Sequence, residues 1–454
     1  MTKNSFLKFR KTLVVCGVAL NIFTVNAQQW ENVGLPVNVS AGNSSYNNLT
    51  TDGIGNYYLS YYDVSVAKGS VQKFDGASWS YLGGSAGITS GTATFNSLCI
   101  DGSGNVYYSN QIGYPGTGME VRKFSSGTWS QLPNVTNTGI NYQATAVSPS
   151  NVIYAYSSDG SGTVRKYVNG AWEQVGTAGF AGGTTFAEMV IGSDNNIYTC
   201  QISGGVKVYR INADASGSDP WTLVGGSIVG NGYSSDFSFS DIALDGNNNP
   251  YVVYVSSTAE GRKLNVKKFD GTNWIQVGAP NFSDTVVNHT AITVSSDGTP
   301  YVVASIWDSS SANNTQNTVY RYNSASGIWT KVGGDFVSDG AATYNDLAID
   351  PANNHLVLAY SQNGTKVKRI SLSALSVTNT QKEDIEIYPN PTNGNIYLKG
   401  GKIRSVEVIN TAGQLVTIKN NDRQADLTHV PAGVYFINVH LENGDYLSKK
   451  IIKK

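Results

Sequence analysis

The stretch Lys73-Phe74-Asp75-Gly76-Ala77-Ser78-Trp79-Ser80-Tyr81-Leu82-Gly83 decides the fold, because it recurs. It returns as Lys123-Phe124 running to Trp129 and Leu132, and as Lys166-Tyr167 running to Trp172 and Gly176. Further copies run from Arg210 to Trp221 and Gly225, from Lys268 to Trp274 and Gly278, and from Arg321 to Trp329 and Gly333. An aromatic strand end, a Gly- or Asn-bearing turn and a Trp-led strand spell a β-hairpin.

A second segment precedes each hairpin. It begins at Tyr46, Phe95, Tyr142, Phe186, Phe239, His289 and Tyr344, and continues as in Phe95-Asn96-Ser97-Leu98-Cys99-Ile100-Asp101. A polar turn and a Tyr/Val-rich strand such as Val106-Tyr107-Tyr108 follow each copy. One unit is therefore four strands. The Trp residues of the repeat, from Trp30 to Trp329 and leaving out Trp307, lie 49, 50, 43, 49, 53 and 55 apart. Four strands at a period of about 40–50 residues match a β-propeller blade. The ends complement each other. Trp30 opens a strand with no Lys-x-Phe partner before it, and the strand from Lys366 to Leu372 has no Trp strand after it. The expectation is an all-β chain: a seven-bladed β-propeller closed by its N-terminal strand, which abolishes free edges.

Composition agrees. The 454 residues include 49 Gly and 27 Tyr, and only 14% are charged, which favours turns and strands over amphipathic helices. Residues 1–27 read as a signal peptide, with Lys3, Lys8, Arg10 and Lys11 before the apolar run from Thr12 to Val25. That run of about 14 residues is short for a membrane span. The leader holds four of 31 basic residues and none of 32 acidic ones, leaving 27 against 32, a net charge of −5. No basic face for nucleic acid is expected. Cys99 and Cys200 sit in different repeats and are expected unpaired.

After a Ser/Thr/Asn-rich linker at 373–384, the pattern changes. Residues 385–454 alternate short strands with turns, as expected of a small Ig-like β-sandwich. The segment contains Tyr388-Pro389-Asn390-Pro391 with Gly394, a turn ending at Gly413, Pro431-Ala432-Gly433-Val434-Tyr435, and Lys449, Lys450, Lys453 and Lys454 at its end. On these residues it closely resembles the type A sorting domain of the type IX (Por) secretion system. The resemblance implies the secretion machinery as a partner, export across the outer membrane, removal of the domain, and a secreted or surface-attached product. It says nothing of what the propeller, taken as residues 28–372, does.

Signals for chemistry are sparse. There is no His-Glu-x-x-His, paired Cys-His spacing or Gly-x-Ser-x-Gly, so neither a metal, a cofactor nor a Ser triad is expected. The Phe-Asp-Gly-x-x-Trp turns resemble the Asp-box of sialidase-like propellers, but Asp75 is one position too close to Trp79, and the stretches Lys123 to Trp129 and Lys166 to Trp172 lack the Asp; they read as structural turns. The innermost strands should begin at one mouth of the central tunnel. That places Tyr46, Asn47, Phe95, Asn96, Tyr142, Gln143, Phe186, Glu188, Phe239, Asp241, His289, Tyr344, Asn345 and Asp346 together as a candidate ligand surface. Amides beside aromatic faces suit a glycan or an extended peptide. The leading expectation is a protein that binds such an extracellular partner. The alternatives are a polysaccharide hydrolase or lyase using Glu188, Asp241, Asp346 or His289, and a structural surface protein.

Overall fold

The computed structural model describes residues 29–234, 240–372, 386–400, 402–410, 415–416, 419–421, 423–441 and 446–454. The leader, the linker, Phe239 and Gly413 lie outside these residues. The chain divides into two compact units at 374/375.

The first unit contains seven four-stranded antiparallel sheets among its described residues. The sheet holding the quoted stretch runs Ser44–Thr51, Tyr57–Asp63, Lys68–Phe74 and Trp79–Tyr81 in adjacent order. Five further sheets repeat that order through Lys331. The seventh is assembled from both ends. Thr343–Asp350, His355–Ser361 and Thr365–Ser371 are joined by Glu31–Asn32, with Glu31 opposite Arg369 and Asn32 opposite Lys368. The N–H of Val33 then donates to Val367 O at 2.9 Å.

Burial explains which residue types occupy each strand. Second strands are covered on both faces, so Tyr57–Asp63 and Pro250–Val255 are almost wholly buried and rich in Tyr and Val. Fourth strands such as Thr128–Gln131 are largely exposed and polar. Each sheet buries its face against the next. Tyr58, Val71 and Leu98 share one cluster, Tyr107, Met119 and Ile153 another, and Tyr198, Ile242 and Val252 a third. The seventh sheet packs Val357, Ala359 and Val367 against Leu49, Tyr57 and Leu59 of the first. Burying one such side chain contributes about 1.5–3 kcal/mol.

The recurring Trp and Gly form a hook between sheets. The indole N–H of Trp129 donates to Leu82 O at 2.7 Å, that of Trp274 to Val224 O at 3.0 Å, and that of Trp329 to Val277 O at 2.9 Å. The next residue, Gly83, Gly225 or Gly278, has positive φ. A Cβ on Gly83 would stand 2.7 Å from Trp129 Cδ1, so both the backbone conformation and the packed indole require glycine. The Asp turns are local. Asp75 Oδ1 accepts the N–H groups of Ala77 and Ser78, both at 2.9 Å, and those bonds hold its carboxyl below the usual range.

The second unit has two sheets. Glu386–Tyr388, Asn395–Lys399, Gln424–Asp426 and Lys419–Asn421 form one; Ile403–Asn410, Gly433–Leu441 and Tyr446–Lys453 form the other. They share one apolar core that includes Ile396, Leu398, Val406, Val408, Ile437 and Ile451. The Pro-rich loop anchors the last strand. Asn390 Nδ2 donates to Lys450 O at 2.8 Å, Ile452 N donates to Asn390 Oδ1 at 2.9 Å, and Thr392 N donates to Ile452 O at 2.8 Å. Tyr435 OH donates to Pro431 O at 2.8 Å. Lys449, Lys450 and Lys454 are exposed.

Candidate functional site

The first strands of successive sheets run beside one another, and their starts enclose a cavity of about 170 Å³. Most of these strands contribute three consecutive positions: an aromatic residue, or His289 in its place, a polar residue buried behind it (Ala187 in one sheet), and a residue facing the lumen.

At the first position, rings pack tilted or edge-to-face against one another around the cavity. Tyr344–Tyr46, Tyr46–Phe95, Phe95–Tyr142 and Tyr142–Phe186 centroids lie 4.8, 4.7, 5.4 and 5.2 Å apart. Their backbones are unusual: Tyr46, Phe95, Phe186, His289 and Tyr344 all have φ between 48° and 56°. The pairing register shifts at each of these points, as between Ser45 and Asn48 and between Thr94 and Ser97. A β-bulge thus recurs and turns a bulky residue into left-handed backbone, at a cost of order 1–2 kcal/mol each.

The second position holds this strain. Asn47 Nδ2 donates to Tyr344 O at 2.9 Å, Asn96 Nδ2 to Tyr46 O at 2.8 Å, and Asn345 Nδ2 to His289 O at 2.8 Å; Gln143 donates likewise to Phe95 O. Each amide reaches across to the preceding sheet's strained aromatic. These side chains touch the cavity wall but are buried and occupied, so they serve as clamps between sheets rather than as free ligand groups.

The third position carries the charge. Asp346 Oδ2 accepts from Leu49 N at 2.6 Å and its Oδ1 from Leu347 N at 2.8 Å. Asp241 Oδ2 accepts from Ile292 N at 2.8 Å and its Oδ1 from Ile242 N at 2.6 Å. Each ties its sheet to the following one through a backbone N–H of that sheet's first strand. Glu188 occupies the same place, yet Ile242 N already serves Asp241, and Glu188 has no hydrogen-bond partner among the described residues. Burial raises Glu188 well above the usual carboxylic range, with Asp241 and Asp346 adding repulsion. Burial lifts Asp346 to about 8, opposed by Leu49 N–H and reinforced by Asp241. Asp241 is lifted to about 6 by burial against the pull of Ile292 and Ile242 N–H groups. All three are half-buried side chains that line the lumen, and the surrounding protein leaves their charged forms poorly solvated.

Twelve of the fourteen expected positions line this cavity. Phe239 lies outside the described residues, and His289 is set back from the lumen. Its ring packs 4.8 Å from Tyr344 and 5.9 Å from Trp307, and burial pushes it down to about 3, which keeps it uncharged. Asn48 was not among the expected residues. It stands where the carboxylates stand in other repeats, two after the aromatic, and that register marks it. Its Nδ2 donates to Asn96 Oδ1 at 2.9 Å. No group of three His, Cys, Asp or Glu among the described residues is arranged to hold a metal, and Cys99 and Cys200 are free thiols.

Comparison with known proteins adds the following. No curated protein matches the chain. The GH74 xyloglucanase from Xanthomonas campestris superposes with a TM-score of 0.51 at 14% identity, over 83% of this chain and 60% of that one. An ulvan lyase of polysaccharide lyase family PL25 superposes with a TM-score of 0.46 at 12% identity, over 76% of this chain and 96% of that one. At such identity the xyloglucanase likeness bears on fold alone. Among the described residues no helix is long and apolar enough to cross a membrane. Residues 386–454 match the secretion system C-terminal sorting domain, the Por secretion tail. The chain is therefore a propeller-type, all-β protein whose C-terminal unit belongs to the type IX sorting-domain family and directs it to the cell surface or the extracellular space.

Proposed function

We propose that the seven four-stranded sheets are the blades of one closed propeller spanning residues 28–372, with Glu31–Asn32 as the closing strand, and that its lumen binds an extracellular glycan. The C-terminal unit is read as an Ig-like sandwich following the linker at 373–384, and residues 1–27 as the leader. The observation that carries the binding reading is the convergence of the aromatic girdle and Glu188, Asp241 and Asp346 on one cavity. Rings offer flat apolar faces, and the phenols of Tyr46, Tyr142 and Tyr344 offer groups for sugar hydroxyls.

A second reading, polysaccharide hydrolysis or elimination, is favoured by the raised carboxyls, since perturbed acids gather at catalytic sites. Against it, Asp241 and Asp346 are each held by two backbone N–H groups, and neither bonds to another acid among the described residues. A glycan array probed with the secreted chain, together with a polysaccharide panel assayed for turnover, separates the readings. Binding without turnover is expected. Turnover lost in Glu188→Gln would establish the enzyme instead, and an array without any bound glycan would sink the binding reading.

A further inference from the structure

The lumen is built for a positive charge. Its wall carries three carboxyls and, among the described residues, neither Lys, Arg nor His. Two carboxyls elsewhere in these sheets are committed: Asp245 pairs with Lys268 at 2.9 Å and Asp159 with Arg165 at 2.7 Å. Glu188 differs. It is enclosed, aimed into the cavity and without a hydrogen-bond partner among the described residues. An enclosed carboxyl with neither cation nor donor is costly unless a ligand supplies one. The rings that frame the same space attract a cation through their faces. The three acids do not form a metal-type cluster, which points to a diffuse organic cation rather than a bare ion.

Resting on the glycan-binding reading above, we propose that the lumen takes a sugar bearing a free protonated amine. Its ammonium group sits against Glu188, Asp241 and Asp346, and its ring sits against the aromatic girdle. The cavity, about 170 Å³, suits one such residue rather than a folded chain segment. The phenols of Tyr46, Tyr142 and Tyr344 favour a hydroxylated body over the bare methylene stem of a lysine side chain.

The test uses the full secreted chain titrated by calorimetry with glucosamine, N-acetylglucosamine, glucose and Nα-acetyl-lysine amide. Glucosamine is expected to bind about tenfold or more tighter than the two neutral sugars. Glu188→Gln, which removes charge without removing a hydrogen bond of the fold, is expected to abolish that preference, with thermal unfolding checking the variant. Repeating the titration in buffers of different ionisation enthalpy should show proton release, because the arriving ammonium favours the ionised carboxyls. The titratable groups facing the lumen among the described residues are those carboxyls and the three phenols, with Cys200 and His289 buried behind them. Equal affinity for all three sugars, or a preference unchanged in Glu188→Gln, would overturn amine recognition while leaving glycan binding intact. Tighter binding of the lysine amide would overturn the sugar, and failure of glucosamine to bind while the array is positive would overturn the inference alone.

Discussion

The indole Nε1 of Trp30 donates a 2.9 Å hydrogen bond to the carbonyl oxygen of Val332, 302 residues later in the chain. It repeats the hook made by Trp129, Trp274 and Trp329, so the first described strand behaves as one more copy of the repeat. Trp30→Ala is expected to lower unfolding free energy by about 2–3 kcal/mol, measured by denaturant titration. Gly333→Ala should cost about 1–3 kcal/mol, since its φ is +73° and the new Cβ would lie 2.6 Å from Trp30 Cδ1. In the Trp30→Ala background Gly333→Ala should cost less; strict additivity would argue against a shared hook.

The amide clamps predict a large effect from a conservative change of volume. Asn96→Leu removes the donor to Tyr46 O and the acceptor for Ser60 Oγ at 2.6 Å. A loss of about 2–3 kcal/mol is expected, because buried polar partners are left unsatisfied. A midpoint within experimental error of wild type would show that the bulge holds itself.

The lumen acids set a pH dependence whose sign is opposite to that of an ion-paired carboxylate. Asp346 at about 8 and Asp241 at about 6 bind protons in the folded chain that the unfolded chain releases near the ordinary value of about 4. The folded state therefore holds more protons across that window, and stability falls as pH rises from about 4 to about 8. Glu188 acts in the same direction. Glu188→Gln should raise stability by about 1 kcal/mol at pH 8 and flatten the profile. Thermal unfolding from pH 4 to 9 measures it, and a profile that rises toward pH 8 would contradict the assignment.

In the C-terminal unit, Asn390 accepts the N–H of Ile452 and donates to Lys450 O. Asn390→Ala should speed hydrogen exchange at the Ile452 amide about fivefold or more, while Val408, inside the core, stays protected. Equal exchange in variant and wild type would remove the anchoring role of the Pro-rich loop.

The four-strand unit, the fate of Trp30 and the convergence of Tyr46, Phe95, Tyr142, Phe186 and Tyr344 were legible because they are periodic. A repeat prints the same position many times, so register can be read off without contacts. What the sequence hid is how those positions are used. Asn47 and Asn96 look like ligand amides, but the bulge at the preceding aromatic creates a strained carbonyl that captures them. No local pattern announces a residue such as Phe95 at φ 48°. His289 reads as an aromatic-position substitute, and packing against Trp307 keeps it back from the lumen; Trp307 belongs to no repeated motif. The distinct state of Glu188 among the lumen acids depends on which N–H Asp241 takes first, and that is a tertiary fact.

The pairing of Glu31 with Arg369 spans 338 residues. A ribosome has to deliver nearly the whole first unit before the earliest strand can find its neighbour, so the last sheet is finished late by construction. Loop closure on that scale makes slow folders.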